Sequence, residues 1–212
     1  MTIVPVEKVG GIVLCGGKSK RMGRSKASLL FGTETMLVRV VRVLQQVVSP
    51  IAVVAAPGQE IPSLPDHVLV ARDEQEGLGP LGGLVVGLSV LRGQVEAAYV
   101  SSCDVPLLKP QFVRYMVEAL KSYDLAIPRD GKYHHPLAAV YRSSLENRVR
   151  SLIAAERMRP IYLVEECDSC EVDVQKLRSV DPGLQSLRNT NTLEDYEAAL
   201  SEAGFSVPNP ID

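Results

Sequence analysis

The sequence has neither an excess of positive charge nor a long apolar run, and both absences limit its function. Its 23 Lys and Arg residues stand against 25 Asp and Glu residues, a formal net charge of −2. That balance argues against nucleic acid or an anionic membrane as the main partner. No apolar run approaches the roughly 18–20 residues that span a bilayer. Residues 1–11 lack a secretory signal pattern, so we expect a cytoplasmic protein.

Cysteine is scarce, and its distribution does not complete a zinc site. Of the four cysteines, Cys15 and Cys103 lie in apolar stretches, while Cys167 and Cys170 form one CxxC motif. A structural zinc site needs a second pair or histidine ligands, which the sequence does not supply. We interpret the CxxC motif as two ordinary thiols near a loop, with redox chemistry or a disulfide as the alternative.

Apolar residues are abundant enough for one α/β domain with a substantial core. The 212 residues are 46% hydrophobic, which favours one domain over two independent ones. Apolar runs typical of buried strands alternate with segments of helical periodicity, which predicts βαβ units. We therefore expect a three-layer α/β/α sandwich around a mixed, mainly parallel sheet. Predicted strands are 11–15, 51–55, 67–71, 97–101, 125–128 and 136–141; predicted helices are 36–48, 81–91, 110–121, 144–156 and 193–203; residues 160–173 are ambiguous.

The most informative segment follows the first predicted strand. Gly16 and Gly17 precede five cations within nine residues, and no acidic residue interrupts them before Glu34. Glycine lets backbone N–H groups approach a polyanion closely, and the cations neutralise its charge. Because α/β sheets bind ligands at the carboxyl ends of parallel strands, this segment predicts a triphosphate site, with a solvated basic loop as the alternative. The cations are Lys18, Lys20, Arg21, Arg24 and Lys26.

Two familiar nucleotide motifs do not account for these residues. A Walker A loop requires G-x4-G-K-[ST], whereas five residues separate Gly17 from Gly23 and Arg24 follows. Residues 77–82 match GxGxxG, which would suggest an NAD-type dehydrogenase. In a dinucleotide-binding fold that motif follows a strand directly, whereas residues 72–76 intervene here. The acidic residue of the motif should end the second strand, and Asp104 lies beyond Ser101 and Ser102 instead. Neither a P-loop NTPase nor a dehydrogenase is favoured.

Two acidic residues follow predicted strands. Asp104 ends a central strand opposite the basic loop, where a carboxylate can hold Mg²⁺; a cap on the following turn is the alternative. Asp73 ends the third strand region, where an ordinary turn residue is one interpretation.

The basic loop resembles the signature of nucleotidyltransferases with a glycosyltransferase-A-like, nucleotide-diphospho-sugar-transferase-like fold. Within them, the sequence is most similar to the molybdenum cofactor guanylyltransferases. The resemblance implies nucleotide contacts from Leu14, Cys15, Gly16, Gly17, Lys26, Asp73, Gly82 and Asp104. It rests on blocks in the same order across nearly the whole chain: 14–26, 79–84, 102–107, 135–136 and 189–192.

The resemblance also implies a reaction. GMP passes from GTP to the terminal phosphate of a molybdopterin-type acceptor, with Mg²⁺ on Asp104 and with Arg21 and Lys26 stabilising the charge on pyrophosphate. The nucleophile is already an anion at pH 7, so no general base is needed. Retention of these three residues argues against a non-catalytic relative. A cytidylyltransferase, or a sugar-phosphate or alditol-phosphate enzyme, is the alternative, and contact with molybdenum-insertion proteins or apoenzymes is left open.

The second half supplies candidates for the acceptor site. In related enzymes the region of Asn189 and Asn191 completes the metal or acceptor site; an ordinary polar turn before a helix is the alternative. His135 faces the acceptor or is a surface histidine. We expect one domain over residues 1–212, with a nucleotide-binding half at about 9–108, an acceptor half at about 109–204 and a frayed tail at 205–212.

The sequence departs from the family pattern in two places. Related guanylyltransferases tend to place an asparagine at the end of the second strand, where this chain has Ala55, Ala56 and Pro57. The last block usually continues with proline, where this chain has Leu193. The first departure removes one expected contact with the base.

Overall fold

The computed structural model describes residues 8–15, 25–73 and 77–206. Over these ranges, no helix combines the length and the apolar character that crossing a membrane requires. In chain order the elements are β1 Val9–Leu14, β2 Leu30–Phe31, β3 Glu34–Thr35, α1 Met36–Leu44, β4 Ile51–Ala55, β5 Leu69–Arg72, α2 Gly79–Val90, β6 Ala97–Ser102, α3 Pro110–Leu120, β7 Leu125–Asp130, β8 Tyr133–His134, β9 Ala138–Arg142, α4 Glu146–Ala154, α5 Ile161–Glu166, β10 Ser169–Asp173, α6 Val174–Leu177 and α7 Leu193–Glu202.

The main sheet is mixed and mainly parallel, as predicted. Its strand order is β10-β7-β9-β6-β1-β4-β5, and β8 pairs with β7 outside this path. The β1–β4, β1–β6, β4–β5 and β7–β10 pairs are parallel. Strand β9 runs antiparallel to both β6 and β7. The carboxyl ends of β1, β4, β5 and β6 therefore lie along one edge of the sheet.

Helices cover both faces of this sheet, which confirms the three-layer arrangement. Successive strand residues point to opposite faces, so Val13 packs in one buried cluster with α1, α3 and α6, while Ile12 and Leu14 pack in another with α2, α4 and α5. Helix α1 begins after Thr35, whose hydroxyl accepts from the Val38 N–H at 3.4 Å. The apolar residues of α1 and α3, which recur at helical spacing, therefore lie in the first of these clusters.

The contact between α2 and β1 depends on a glycine. A Cβ at Gly87 would lie 2.6–2.9 Å from three side-chain atoms of Ile12. We expect Gly87→Ala to reduce the free energy of unfolding by about 1–3 kcal/mol because of overpacking, beyond the helix-propensity gain of at most about 1 kcal/mol. Thermal unfolding would show a Tm lowered by about 2–10 °C. Gly183→Ala is the control, since its new Cβ meets no atom closer than 3.4 Å; equal Tm values for the two variants would contradict the prediction.

A smaller cluster joins the β2–β3 hairpin to α7. Phe31, Met36, Tyr196, Ala199 and Leu200 form its buried part. The Phe205 ring, which we expected in the frayed tail, packs edge-on against Phe31 with ring centroids 5.4 Å apart. The prediction of a frayed tail was therefore wrong for Phe205, because this aromatic contact holds the residue after α7. Residues 207–212 lie outside the described part of the chain.

Candidate active site at the carboxyl edge of the sheet

Strand register brings several of the predicted site residues to one edge. Leu14 pairs with Val54 on one side and Ser102 on the other, so Cys15 and Asp104 leave the sheet at neighbouring positions. Strand β9 runs in the opposite direction and starts at this edge, where Ala138 pairs with Ser101. His135, three residues before Ala138, belongs to the same edge.

The centre of the site is an ion pair between Lys26 and Asp104. The Lys26 ammonium lies 2.7 Å from Asp104 Oδ2, and the two side chains are 18% and 10% exposed. Lys26 begins a short 3-10 helix that ends at Ser28, and Asp104 follows β6. A partly desolvated pair of this kind interacts more strongly than a surface pair. The sequence predicted both residues for the site without predicting that they touch.

Two amides complete the cluster. Asn189 Nδ2 donates to Asp104 Oδ1 at 2.7 Å, and Lys26 Nζ donates to Asn191 Oδ1 at 2.9 Å. Two asparagines from one segment thus contact the two partners of the ion pair. Thr190, between them, is 2% exposed, and its N–H and hydroxyl donate to the Asp104 carbonyl at 2.9 and 3.2 Å. The side chain and the main chain of Asp104 are thus held separately.

The start of α7 fixes the segment that carries these amides. The Thr192 hydroxyl accepts from the Asp195 N–H at 3.1 Å, while Asp195 Oδ2 accepts from the Thr192 and Asn191 N–H groups at 3.0 Å each. These backbone donors lower the pKa of the Asp195 carboxyl. A capping box of this type orders the residues just before a helix. Asn191 is therefore positioned by the helix terminus.

Asp73 and Gly82 meet where β5 ends and α2 begins. A Cβ at Gly82 would lie 2.8 Å from Asp73 Oδ2 and 2.7 Å from the Leu78 Cβ. Glycine is therefore required for the carboxylate to lie this close to the helix. Asp73 and Gly82 line an open groove of about 410 Å³ that extends along α2 to Arg150 and Ile153 of α4. The groove is large enough for a nucleobase.

Two thiols in the site are buried. Cys15 and Cys103 are 6% and 4% exposed. A hydrogen bond with Cys103, and then burial, raise the pKa of the Cys15 thiol far above its usual value. A neutral, buried thiol is a poor nucleophile and a poor metal ligand. The charged groups at the centre of the site are therefore Lys26 and Asp104, not the cysteines.

A domain model for MobA-like NTP transferases matches residues 11–169, three quarters of the chain. The chain belongs to this family. A probable molybdenum cofactor guanylyltransferase of Mycobacterium tuberculosis is 37% identical over 197 residues, which cover 91% of this chain and 93% of that protein. The Mycobacterium avium protein of the same name is 37% identical over 199 residues and covers 90% and 94%. Molybdopterin-guanine dinucleotide biosynthesis protein A of Archaeoglobus fulgidus shares the fold, with a TM-score of 0.74 and 23% identity, over 93% and 98% of the two chains.

Other family residues have partners inside the protein. The Cys15 N–H donates to the Val54 carbonyl at 2.8 Å, and the Leu14 carbonyl accepts from the Cys103 N–H at 3.1 Å. The Leu14 carbonyl has a second lone pair that could accept from a ligand. The nucleotide-binding role of Leu14 and Cys15 stays a prediction.

His135 lies beside the family's second glycine-rich block. Pro136 and Leu137 line a narrow crevice with Pro80 and Leu81 at the start of α2. Burial lowers the pKa of the His135 imidazole, while the charge of Asp130 opposes that shift. A neutral imidazole can donate one hydrogen bond and accept another. The acceptor-binding role of His135 stays a prediction.

Part of the predicted loop lies outside the described residues. Gly16, Gly17 and Arg21 fall in residues 16–24, so their roles stay predictions. Sequence reasoning missed Gln59, whose side chain contacts both neighbours of this segment, Cys15 and Ser25. The Pro57-Gly58 pair after β4 could have indicated a turn that brings Gln59 back toward the carboxyl edge of the sheet.

Proposed function

We propose that this MobA-like NTP transferase moves GMP from GTP to the terminal phosphate of a molybdopterin-type acceptor in the cytoplasm and releases pyrophosphate. The observation that carries the proposal is the cluster of Lys26, Asp104, Asn189 and Asn191 at the carboxyl edge of the sheet. A cation, a carboxylate and two amides at that edge suit the positioning of a charged triphosphate. The mycobacterial relatives named molybdenum cofactor guanylyltransferase support the choice of GTP and acceptor.

The proposal includes Mg²⁺ held by Asp104. Oxygen atoms are the ligands that Mg²⁺ prefers, and Asp104 Oδ2 and Asn191 Oδ1 already converge on one positive charge, the Lys26 ammonium, at 2.7 and 2.9 Å. Over the described ranges, no group of three or more His, Cys, Asp or Glu residues is placed to hold a metal. A site with one carboxylate fits Mg²⁺, which keeps several waters and binds substrate phosphates. When bound, the ion neutralises charge on the phosphate oxygens.

The protein's own residues supply charge and position. Lys26 would contribute a positive charge against the triphosphate. Its ion pair with Asp104 places the ammonium at this edge of the sheet. Asn189 fixes the plane of the Asp104 carboxylate by donating to Oδ1. A phosphate monoester is mostly a dianion at pH 7, since its second pKa is about 6, so attack needs no general base. Catalysis then rests on electrostatic stabilisation and orientation.

The base is expected to be guanine. The Asp73 carboxylate, at the mouth of the groove beside Gly82, can accept from the two N–H donors on the edge of guanine, a pattern that cytosine lacks. The family resemblance also favours a purine, since cytidylyltransferases usually have alanine where this chain has Gly16. A missed hydrogen-bond pairing with the base can change specificity by a factor of roughly 10⁴ or more. The missing asparagine after β4 makes us expect weaker GTP affinity than is usual in the family.

The test is a competition between equal GTP and CTP with limiting purified molybdopterin, read by mass analysis of the product. We expect the guanine dinucleotide form to dominate, and Asp73→Asn to reduce that preference. Asp66→Asn, in the exposed turn that precedes β5, is the matched control. A mainly cytosine product would contradict the guanylyltransferase proposal while leaving nucleotidyl transfer intact.

A further inference from the structure

The side chain of Gln59 joins two parts of the chain that flank the predicted phosphate loop. Its Nε2 donates to the Cys15 carbonyl at 3.1 Å and to Ser25 Oγ at 3.2 Å. Cys15 directly precedes residues 16–24, and Ser25 directly follows them. One amide group therefore ties the end of β1 to the residue before Lys26.

The orientation of this amide follows from its partners. Gln59 Oε1 accepts from the Ala56 N–H at 3.1 Å. That N–H can only donate and the Cys15 carbonyl can only accept, so Nε2 has to face Cys15 and Ser25. Both hydrogens of the amide nitrogen are then used.

Hydrogen bonds also hold the backbone around Gln59. The chain turns over Pro57 and Gly58, where Gly58 has φ 66°, and the Gln59 N–H donates to the Ala56 carbonyl at 3.2 Å. Proline followed by glycine suits a type II turn. Arg72, at the end of β5, donates to the Ala56 and Gln59 carbonyls at 3.0 and 2.8 Å. The ends of β4 and β5 thus place the amide.

We propose that Gln59 is a positioning residue for nucleotidyl transfer, which holds Ser25, and with it the Lys26 ammonium, against the end of β1. This inference rests on the proposed function. The Ser28 N–H donates to the Ser25 carbonyl at 3.0 Å, so Ser25 is tied to the short helix that begins at Lys26. Gln59 acts through Lys26 and does not touch the substrate.

A double-mutant cycle tests this role. We measure kcat and KM for GTP, with molybdopterin as acceptor, in wild type, Gln59→Ala, Ser25→Ala and the double variant. One hydrogen bond corresponds to about a fivefold change, so we expect kcat/KM to fall about 5-fold in Ser25→Ala and about 10- to 30-fold in Gln59→Ala. The double variant should match Gln59→Ala, because both changes remove the same contact. Gln94→Ala, whose exposed amide donates to the Val90 carbonyl, should stay within twofold of wild type.

Gln59→Glu separates positioning from support of the turn. It keeps the length of the side chain and the oxygen that accepts from Ala56, but it sets a second oxygen against the Cys15 carbonyl. We expect it to be impaired at least as much as Gln59→Ala, with Tm near that of wild type. Three results would overturn the positioning role and leave the proposed function intact. They are normal activity in Gln59→Glu, additive effects in the cycle, and an active wild type with an unimpaired Gln59→Ala. A wild type that transfers no GMP from GTP would overturn the proposed function as well.

Discussion

Asp104→Asn is expected to reduce GMP transfer by about 10³-fold or more while the protein stays folded. The substitution removes the carboxylate that pairs with Lys26 and turns an amide nitrogen or oxygen toward the ammonium in its place. The fold should tolerate it because Thr190 holds the backbone carbonyl of Asp104, not its side chain. Steady-state transfer assays with Mg²⁺ and thermal unfolding measure the two effects.

A matched change at an exposed aspartate controls for the loss of charge. Asp66→Asn should leave transfer and Tm within the error of wild type. Near-normal turnover of Asp104→Asn in Mg²⁺ would show that Asp104 does not hold the metal, and the mechanism would then have to be abandoned.

Lys26→Ala is expected to change two measurements in opposite directions. Transfer should fall by about 10²–10³-fold, because the ammonium no longer stabilises charge on the leaving phosphates. Binding of a divalent ion without nucleotide should become about tenfold tighter, because a competing cation has left Asp104 and Asn191. A charge-assisted hydrogen bond is worth about 1.5–3 kcal/mol, which allows a change of that size.

Calorimetric titration with Mg²⁺ and with Mn²⁺, in the absence of nucleotide, measures the second effect. Lys176→Ala, in the exposed turn of α6, is the control and should leave both readings unchanged. Weaker ion binding in Lys26→Ala would show that the lysine helps to build the metal site and does not compete for it.

The sequence predicted most of the central elements because their patterns are strong. Fully buried strands such as β1 and β4 are continuous apolar runs, and α1 and α3 show clear helical periodicity. Strand β10 could not be recognised, because Ser169, Cys170, Glu171 and Asp173 are polar or small. Its extended form comes from pairing with β7 at the edge of the sheet, where one side of the strand is exposed. A tertiary contact, not local preference, decides that segment.

The sequence named several residues that the structure brings together, but it did not predict their contacts. The rule that ligands bind at the carboxyl ends of parallel strands placed Lys26 and Asp104 together. It could not show that Asn189 fixes one carboxylate oxygen while Lys26 takes the other. Those contacts depend on the path of residues 178–192, which the sequence pattern does not define. Gln59 was missed for a related reason, since its partners lie 44 and 34 positions away in the sequence.

The cluster of Lys26, Asp104 and Asn191 is assembled from distant parts of the chain, so its members are synthesised at different times. Lys26 pairs with residues 78 and 165 positions later, Asp104 and Asn191. At about 5–20 residues per second, a ribosome needs roughly 8–33 s between making Lys26 and making Asn191. A nascent chain can complete β1, α1 and β4 in that time, but its lysine still lacks the amide partner. The contact between Lys26 and Asn191 is therefore among the last parts of the molecule to be completed.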